Sequence, residues 1–478
     1  MADQALPQHS GELFGQPKGL WVLAGTELWD RVSFHGMVAM LVLYMTGDLL
    51  LAPERVATII GFTPFRGFLE ATSGPLGAQA IALQTFGYYY ACVTGLPLLG
   101  GLIGDRVTGR KLAVGGGAAM MTAGHFALAF DRTFLIALVL LMCGAGLLRG
   151  NLSAQVKSLY ADGDPREVNA FQYYYLGINF GAAAAPILSG SVAAIWGWHA
   201  GFAVAGFGML IGLMVYLGGQ RWLPAEQQRA PETPGKRAPL TASERRRVLG
   251  LLAIWPLVVC YWTAQAQIWN VYNIWLRDTV NLDVGGFTVP VPWFQSLDGL
   301  APGLFIPLVL WIWARQAKRG REPDVLTKLA IGSVIFGLSV GLLAAGPLLA
   351  NAQGRAPIAL PLLFHITSNF GAMYYAPVIL GLYGTRAPQS VRGTLVGICM
   401  LAVATGSVLS GWMGGLYESL GPAPFWLINA AICTGAGFGI LIAAPVLNRL
   451  LAQDAADPGA IDKASEAGQR PPASVYPG

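Results

Sequence analysis

Charged residues are scarce in this chain. Asp, Glu, Lys and Arg make up only 12% of its 478 residues, about half of the roughly 25% that is usual in soluble domains. Hydrophobic residues reach 54%, which is more apolar material than the cores of a soluble protein of this length can bury. This composition excludes a water-soluble protein and predicts an integral membrane protein with many spans.

Patterns for metal binding, redox chemistry and catalysis are also lacking. The five cysteines show no CxxC spacing and lie in apolar stretches, so we interpret them as packing residues. We find no nucleophile with a matched base, no cluster of metal ligands and no phosphate-binding loop in the sequence. We therefore expect no enzyme activity, no metal site and no cofactor.

Twelve apolar segments are long enough to cross a bilayer, whose hydrocarbon core of about 30 Å needs about 20 helical residues. Several contain Gly or Pro, which predicts tilted or bent helices that are supported by their neighbours. The segments are 19–47, 77–103, 112–131, 134–160, 168–196, 199–219, 248–276, 290–314, 326–350, 356–384, 393–417 and 423–448. They predict an all-α membrane protein.

The basic residues indicate orientation, because Lys and Arg accumulate on cytoplasmic loops. With both termini inside, the cytoplasmic segments hold 23 of the 30 Lys and Arg residues and the outer loops hold five. Only Arg31 and Arg149 then fall inside the membrane. The pattern predicts cytoplasmic termini, in an inner or plasma membrane, and it explains the net charge of +5 without nucleic-acid binding.

A polar segment divides the twelve predicted helices into two sets of six. It contains Pro and many charges and ends in three consecutive arginines, which favours a cytoplasmic linker. Two six-helix halves with such a linker resemble the major facilitator architecture. The expected organisation is a cytoplasmic segment 1–18, a six-helix bundle 19–219, the linker 220–247, a second six-helix bundle 248–450 and a disordered cytoplasmic tail 451–478.

The loop between the second and third segments, GLIGDRVTGRK at 101–111, combines glycines with paired charges. It resembles the signature loop of the major facilitator superfamily. In that superfamily the loop acts in conformational gating and does not contact the substrate. The resemblance implies a gating loop of Gly101, Asp105, Arg106, Gly109 and Arg110.

The first segment carries four ionisable residues on one stripe. Their spacings of three and four residues bring the side chains together on a helix. They lie deep in the segment, where ionisable groups are costly and are expected to pair, to face a cavity and to be functional. The four residues are Glu27, Asp30, Arg31 and His35.

Four motifs resemble those of the proton-dependent oligopeptide transporter family within the major facilitator superfamily. ELWDR at 27–31 is similar to the family's ExxER, and FQYYYLGINFG at 171–181 is similar to its FYxxIN. GAGLLRGN at 144–151 resembles GxGxxKPN, and FQSL at 294–297 matches the start of FQSLN. On these motifs the chain is identified as a divergent member of the family.

The resemblance implies a proton-coupled symporter that imports di- and tripeptides or peptide-like solutes by alternating access. It assigns proton coupling to Glu27, Asp30 and Arg31, and substrate binding to Arg149. We expect a monomer in the lipid bilayer that is driven by the proton gradient and uses no cofactor. The further candidates for substrate binding are His35, Tyr89, Asn179, Gln267 and Asp298.

Several charged positions of the family are missing. Val38 stands in place of an Arg, Ala372 in place of the Glu that receives the peptide amino group, and Ala266 where an acid often occurs. These losses keep open a second hypothesis, a proton-coupled transporter of a non-peptide or modified-peptide molecule, for example an anionic one. A third hypothesis is a transporter-like receptor that binds its ligand without net flux.

Two ionisable residues of the second half have several interpretations. Asp298 takes the Asn position of FQSLN. It either binds a substrate ammonium, serves as a second proton site or caps a broken helix near Gly299. His365 either relays a proton or makes an ordinary hydrogen bond. The sequence leaves these alternatives open.

Overall fold

The computed structural model describes residues 11–161, 163–224 and 239–452. In these ranges twelve α-helices have 18 or more residues, and we number them α1 to α12. The first six are α1 Lys18–Gly47, α2 Ala78–Ile103, α3 Arg110–Ala127, α4 Phe134–Lys157, α5 Arg166–Trp196 and α6 Trp198–Gly219. The second six are α7 Ala242–Ala266, α8 Ser296–Ala317, α9 Val325–Leu342, α10 Ala359–Arg386, α11 Arg392–Gly414 and α12 Pro422–Leu451.

Each of the twelve predicted segments corresponds to one of these helices, which confirms the all-α membrane class. By length and composition, ten helices of the described chain suit a membrane crossing, several of them together with short helical continuations. The two others are α3 and α10. Both are less apolar, and α10 buries the polar residues His365, Ser368 and Asn369.

Short elements connect the long helices. The short α-helices are Pro53–Val56, Phe62–Ser73, Val271–Thr279 and Tyr417–Leu420, and a π-helical turn spans Gly104–Thr108. Turns of 3-10 helix occur at Leu49–Leu51, Asp131–Thr133, Gln220–Trp222, Val291–Gln295, Leu343–Leu349 and Gln389–Val391. Two antiparallel hairpins pair Glu12–Leu13 with Gln16–Pro17 and Asp283–Val284 with Phe287–Thr288.

The helix α7 begins at Ala242, inside the segment assigned to the linker. A capping box explains this early start. Thr241 Oγ1 accepts a hydrogen bond from the Glu244 backbone N–H at 3.2 Å, and the Glu244 carboxylate accepts one from the Thr241 backbone N–H at 2.9 Å. Residues 1–10 of the predicted N-terminal segment, 225–238 of the linker and 453–478 of the tail lie outside the described residues.

The seventh span is broken rather than continuous. After Ala266 the chain turns over residues 267–270 and then continues as the helix Val271–Thr279. The Tyr272 backbone N–H donates to the Gln267 carbonyl at 3.0 Å across this turn. Irregular backbone at membrane depth is tolerated where it is buried in protein or lines a cavity, and this turn carries Trp269 to the cavity described below.

The two six-helix halves meet most closely toward the end of the molecule where α1 and α5 end, which we call the closed end. A Cβ added at Gly299 of α8 would overlap the Ala183 backbone of α5. One helical turn further along α8, a Cβ at Gly303 would meet no atom within 4 Å. The helices α5 and α8 therefore touch at Gly299 and diverge away from the closed end. We call the end opposite to the closed end the open end.

Hydrogen bonds join the halves at the closed end. Arg277 Nη1 donates to Thr46 Oγ1 at 3.1 Å, and Asn270 Nδ2 donates to the Leu83 carbonyl at 3.3 Å. A third bond, of 3.0 Å, runs from the indole N–H of Trp293 to Ser191 Oγ. All three donors belong to the second half and all three acceptors to the first.

Candidate transport site

A cavity of about 170 Å³ lies between the two halves, next to the close approach of α5 and α8. It is smaller than the roughly 300–1,000 Å³ of sites for drug-sized ligands, so it fits one end of a short molecule. Residues from α1, α5, α8 and the 3-10 turn before α8 line it, together with the turn of the seventh span. The lining residues are His35, Ile178, Asn179, Ala182, Trp269, Gln295, Asp298 and Gly299.

Glu27 of α1 is held by two hydrogen-bonding partners. Arg31, one turn along the same helix, donates from Nε to Glu27 Oε1 at 2.7 Å. Tyr174 of α5 donates its hydroxyl proton to Glu27 Oε2 at 2.6 Å. The close approach of α1 and α5 depends on the missing side chain of Gly181, where a Cβ would lie only 2.6 Å from the Leu28 carbonyl oxygen. Glu27 is 2% exposed, so its charge is buried and paired.

Asp30 is fully buried and joins α1 to α4. Arg149 donates from Nε to Asp30 Oδ2 at 3.0 Å and from Nη2 to Oδ1 at 3.2 Å. Arg31 Nη2 lies 3.4 Å from Asp30 Oδ2, and the Arg149 guanidinium lies over the Phe34 ring at 4.1 Å. The two acids and two arginines form one charge-balanced cluster, which we call the N-half network. Its members are Glu27, Asp30, Arg31, Arg149 and Tyr174.

A second polar cluster lies in the other half. Asp298 Oδ1 accepts a hydrogen bond from Asn369 Nδ2 at 2.8 Å and lies 2.9 Å from His365 Nδ1. His365 and Asn369 are one turn apart on α10, so both face α8. Asp298 thus bonds to α10, whereas the N-terminus of α8 has no side-chain cap. We call these three residues the C-half cluster.

The predicted gating loop forms a tight turn between α2 and α3. Asp105 Oδ1 accepts a hydrogen bond from Arg110 Nε at 2.7 Å. Gly109 has φ +82°, a left-handed conformation that favours glycine. Asn151 of α4 donates to the Gly100 carbonyl at 2.8 Å and so ties the fourth helix to the end of α2. These residues lie outside the cavity lining.

The chain resembles known proteins over most of its length. It matches the family model described as "POT family" over residues 112–238 and 236–421. The chain belongs to the POT family. This result confirms the family that the four sequence motifs indicated.

Curated relatives match this POT-family chain over nearly its whole length. The peptide transporter YePEPT of Yersinia enterocolitica is 26% identical, and the alignment covers 91% of this chain and 95% of the relative. A di-/tripeptide transporter of Lactococcus lactis subsp. cremoris is 25% identical, with coverage of 92% and 97%. An uncharacterized transporter of Bacillus subtilis, YclF, is 25% identical, with coverage of 94% and 97%.

Solved structures agree with the fold. A crystal structure of the peptide transporter POT in complex with sulfate superimposes with a TM-score of 0.80 at 25% identity, covering 92% of this chain and 97% of that one. A point mutant of POT in complex with alafosfalin gives a TM-score of 0.80 at 25% identity, covering 94% and 98%. The predicted twelve-helix major facilitator fold of two six-helix halves is confirmed.

The structure brings some of the predicted site residues together and keeps others apart. His35, Asn179 and Asp298 line the cavity, and Glu27, Asp30, Arg31 and Arg149 form the N-half network. Tyr89 and Gln267, in contrast, are buried outside the cavity lining. Gln267 is fully buried, and its amide donates to the Ser410 carbonyl at 3.1 Å. Substrate binding by Tyr89 and Gln267 stays a prediction.

Three polar residues of this POT-family chain were missed from sequence. Tyr174 lies within the FYxxIN-like stretch, but the sequence does not distinguish it from the tyrosines on either side. His125 of α3 is buried, with Nε2 2.5 Å from Ser33 Oγ, and a lone His in an apolar segment was its only signal. Asn369 follows His365 by four residues, a spacing that predicts a shared helix face.

Proposed function

We propose that this chain is a proton-coupled symporter that imports di- and tripeptides by alternating access. The observation that carries the proposal is the buried, charge-balanced N-half network beside a cavity between two halves. Relatives aligned over nearly the whole chain are named as peptide and di-/tripeptide transporters. The comparisons do not favour the alternative of a non-peptide solute.

Charge balance supplies a physical link between substrate and proton. In the N-half network each acid has a guanidinium partner, and a buried charge without a partner is costly. A substrate carboxylate that takes Arg149 or Arg31 leaves Asp30 or Glu27 without its full partner. That acid then binds a proton more readily, because the neutral form is favoured in a desolvated site. Substrate binding and protonation therefore strengthen each other.

The proton gradient supplies enough free energy for accumulation. One proton that moves inward across 100 mV releases about 2.3 kcal/mol. Each unit of pH difference adds about 1.4 kcal/mol. At one proton per peptide, these terms support an accumulation of about 50-fold without a pH difference and several hundred-fold with one pH unit.

The proposal includes the orientation of the chain in the membrane and its oligomeric state. Both termini face the cytoplasm in an inner or plasma membrane, so the closed end faces outward and the open end inward. The described conformation is then inward-facing. The carrier acts as a monomer in the bilayer, uses no cofactor besides the proton gradient and catalyses no covalent reaction.

Uptake in proteoliposomes tests the proposal. The purified full-length protein would be reconstituted with an imposed pH gradient and a potassium diffusion potential, and labelled dialanine would be added outside. We expect accumulation above the outside concentration, which a protonophore abolishes. Uptake that only equilibrates and ignores the gradient would contradict symport. Binding without uptake or counterflow would instead favour the receptor hypothesis.

A further inference from the structure

We infer that His365 of α10 and Asp298 of α8 bind a second proton, which moves with the substrate in addition to the proton of the N-half network. The inference rests on the proposed function, since it sets the number of protons that accompany each peptide. It also gives a role to the C-half cluster, which proton coupling through the N-half network does not require.

The two polar clusters differ in their balance of charge. In the N-half network both acids are paired with guanidinium groups. In the described part of the chain, the ion-pair partner of Asp298 is His365, whose ring is charged only when it is protonated. With a neutral ring the C-half cluster therefore carries one net negative charge at membrane depth, where a charge without a partner is costly. One bound proton removes this net charge.

The hydrogen bond between the two side chains identifies the atom that takes the proton. His365 Nδ1 lies 2.9 Å from Asp298 Oδ1, and it must carry a hydrogen because an ionised carboxylate can only accept. The lone pair of the neutral ring is then on Nε2, which is buried and has no hydrogen-bond partner among the described residues. The second proton adds to this lone pair. The resulting imidazolium keeps its bond from Nδ1 to Asp298, which becomes charge-assisted at both ends.

The surroundings of His365 make its protonation depend on Asp298. The ring is buried, and the ring centroids of Phe364 and Tyr272 lie 5.2 and 5.3 Å from it. These aromatic rings exclude water, so desolvation disfavours an imidazolium that has no partner. The carboxylate of Asp298 offsets this cost, and the aromatic rings add a smaller attraction for a cation. His365 therefore binds the proton as one half of an ion pair.

The cavity links this proton to the substrate. Asp298 is the only acid among the residues that line the cavity, and its side chain is 18% exposed, whereas that of His365 is 1% exposed. Water that enters the cavity therefore reaches the pair through Asp298. A substrate that fills the cavity displaces this water, and a carboxylate without water favours a charged partner. Substrate binding and protonation of the pair then strengthen each other.

The other groups around the pair do not supply the missing positive charge. Tyrosine is ordinarily neutral at pH 7 and histidine is mostly so, and Asn179 of α5 and Gln295 of the turn before α8 do not titrate. The arginines of the N-half network are paired with its acids, and the lysine of α9 is paired with Glu322. The titratable groups on the neighbouring elements are His35 of α1, Tyr90 of α2, Tyr272 of the seventh span and Lys328 of α9.

The charge that moves with each peptide tests the inference, because dialanine itself has no net charge. Proteoliposomes with the full-length protein would hold a tenfold inside excess of dialanine at equal pH, and a potassium diffusion potential would be varied until net flux stops. Tenfold corresponds to about 1.4 kcal/mol and one charge across 100 mV to about 2.3 kcal/mol, so flux stops at about 60 mV, inside negative, with one proton and at about 30 mV with two. We expect about 30 mV for the wild type and about 60 mV for Asp298→Asn and His365→Gln. Asp298→Glu, which keeps the acid, and Tyr272→Phe, which keeps the ring, should stay at the wild-type value.

The possible outcomes are distinct, because the potential at which flux stops does not depend on the rate of transport. A wild type with the one-proton value would overturn the inference, while the proposed function would stand. Unchanged potentials in both variants, with altered affinity alone, would show a structural or substrate-binding role and overturn it, and so would a change in Asp298→Asn without one in His365→Gln. If the wild type takes up no dialanine, the proposed function fails instead.

Dialanine binding provides the same comparison should the two variants not transport. Protection from thermal unfolding gives Kd for the purified proteins, measured between about pH 5 and pH 8, where histidine titrates. The slope of log Kd against pH reports the protons taken up on binding. We expect a lower slope in both variants than in the wild type, by up to one proton. Equal slopes would overturn the inference.

Discussion

Arg149 of α4 and Asp30 of α1 are joined by two hydrogen bonds, of 3.0 and 3.2 Å, across 119 positions of sequence. Asp30 is fully buried, so neither partner can be removed without leaving a charge in a low-dielectric surrounding. The same guanidinium lies over the Phe34 ring, which fixes its plane. This pair ties the fourth helix to the charged residues of the first.

Removal of one partner of this pair should cost more stability than removal of both. Arg149→Gln leaves Asp30 partly unpaired, and we expect a loss of about 3–5 kcal/mol, the usual cost of breaking a buried ion pair. The double variant Asp30→Asn with Arg149→Gln should recover most of it, because both charges of the pair are removed and Glu27 and Arg31 still balance each other. Thermal unfolding of the purified variants in detergent measures both values. A loss in the double variant equal to the sum of the losses in Asp30→Asn and Arg149→Gln would contradict a direct pairing.

Glu27→Gln should separate transport from proton coupling. Glutamine keeps one acceptor oxygen for Arg31 and can donate its amide N–H to the Tyr174 hydroxyl, but it cannot bind the proton. We expect gradient-driven accumulation of labelled dialanine to fall at least tenfold, whereas counterflow between equal pH values continues. Tyr174→Phe, which removes one hydrogen bond and leaves the acid, is the matched control and should retain coupling. Intact accumulation in Glu27→Gln would exclude Glu27 as the coupling acid.

The close approach of α5 and α8 makes Gly299 sensitive to a single methyl group. Gly299→Ala places a Cβ in overlap with the Ala183 backbone, and overpacking of this kind costs about 1–3 kcal/mol. We expect a lower unfolding temperature and slower uptake. Gly303→Ala, where a Cβ meets nothing within 4 Å, should leave both nearly unchanged. Equal effects of the two substitutions would argue against contact at Gly299.

The gating loop should affect the rate of transport and not the affinity. Asp105→Asn weakens the hydrogen bond from Arg110, and both side chains are well exposed. Exposed ion pairs contribute only about 0–1 kcal/mol to stability, so the unfolding temperature should hardly change. We expect the maximal rate of dialanine uptake to fall several-fold with KM unchanged. A rise in KM alone would place the loop in substrate binding.

The helices, and the shared face of the charged residues on α1, could be predicted from the sequence because both depend on local spacing. Apolar runs of about 20 residues define spans, and intervals of three and four residues define a stripe. It did not predict that Asp30 pairs chiefly with Arg149, since that contact depends on how α1 packs against α4. Nor did it predict the turn after Ala266, because the residues that break the helix are apolar and amide side chains without proline or glycine.

The C-half cluster could be predicted in part. Its spacing on α10, His365 followed by Asn369, is visible in the sequence. The direction of that face toward Asp298 depends on the packing of α8 against α10, which no pattern along the chain specifies. Tertiary contacts between helices therefore set the limit of what could be predicted for the site.

The three hydrogen bonds at the closed end share a property that matters for control by acidity. Their acceptors are the hydroxyl groups of Thr46 and Ser191 and the backbone carbonyl of Leu83. None of these acceptors changes its charge between about pH 4 and pH 9. Acidification in this range therefore does not break these three hydrogen bonds by itself. These bonds at the closed end therefore do not respond to pH in this range, whereas the carboxylates of the N-half network are proposed proton sites.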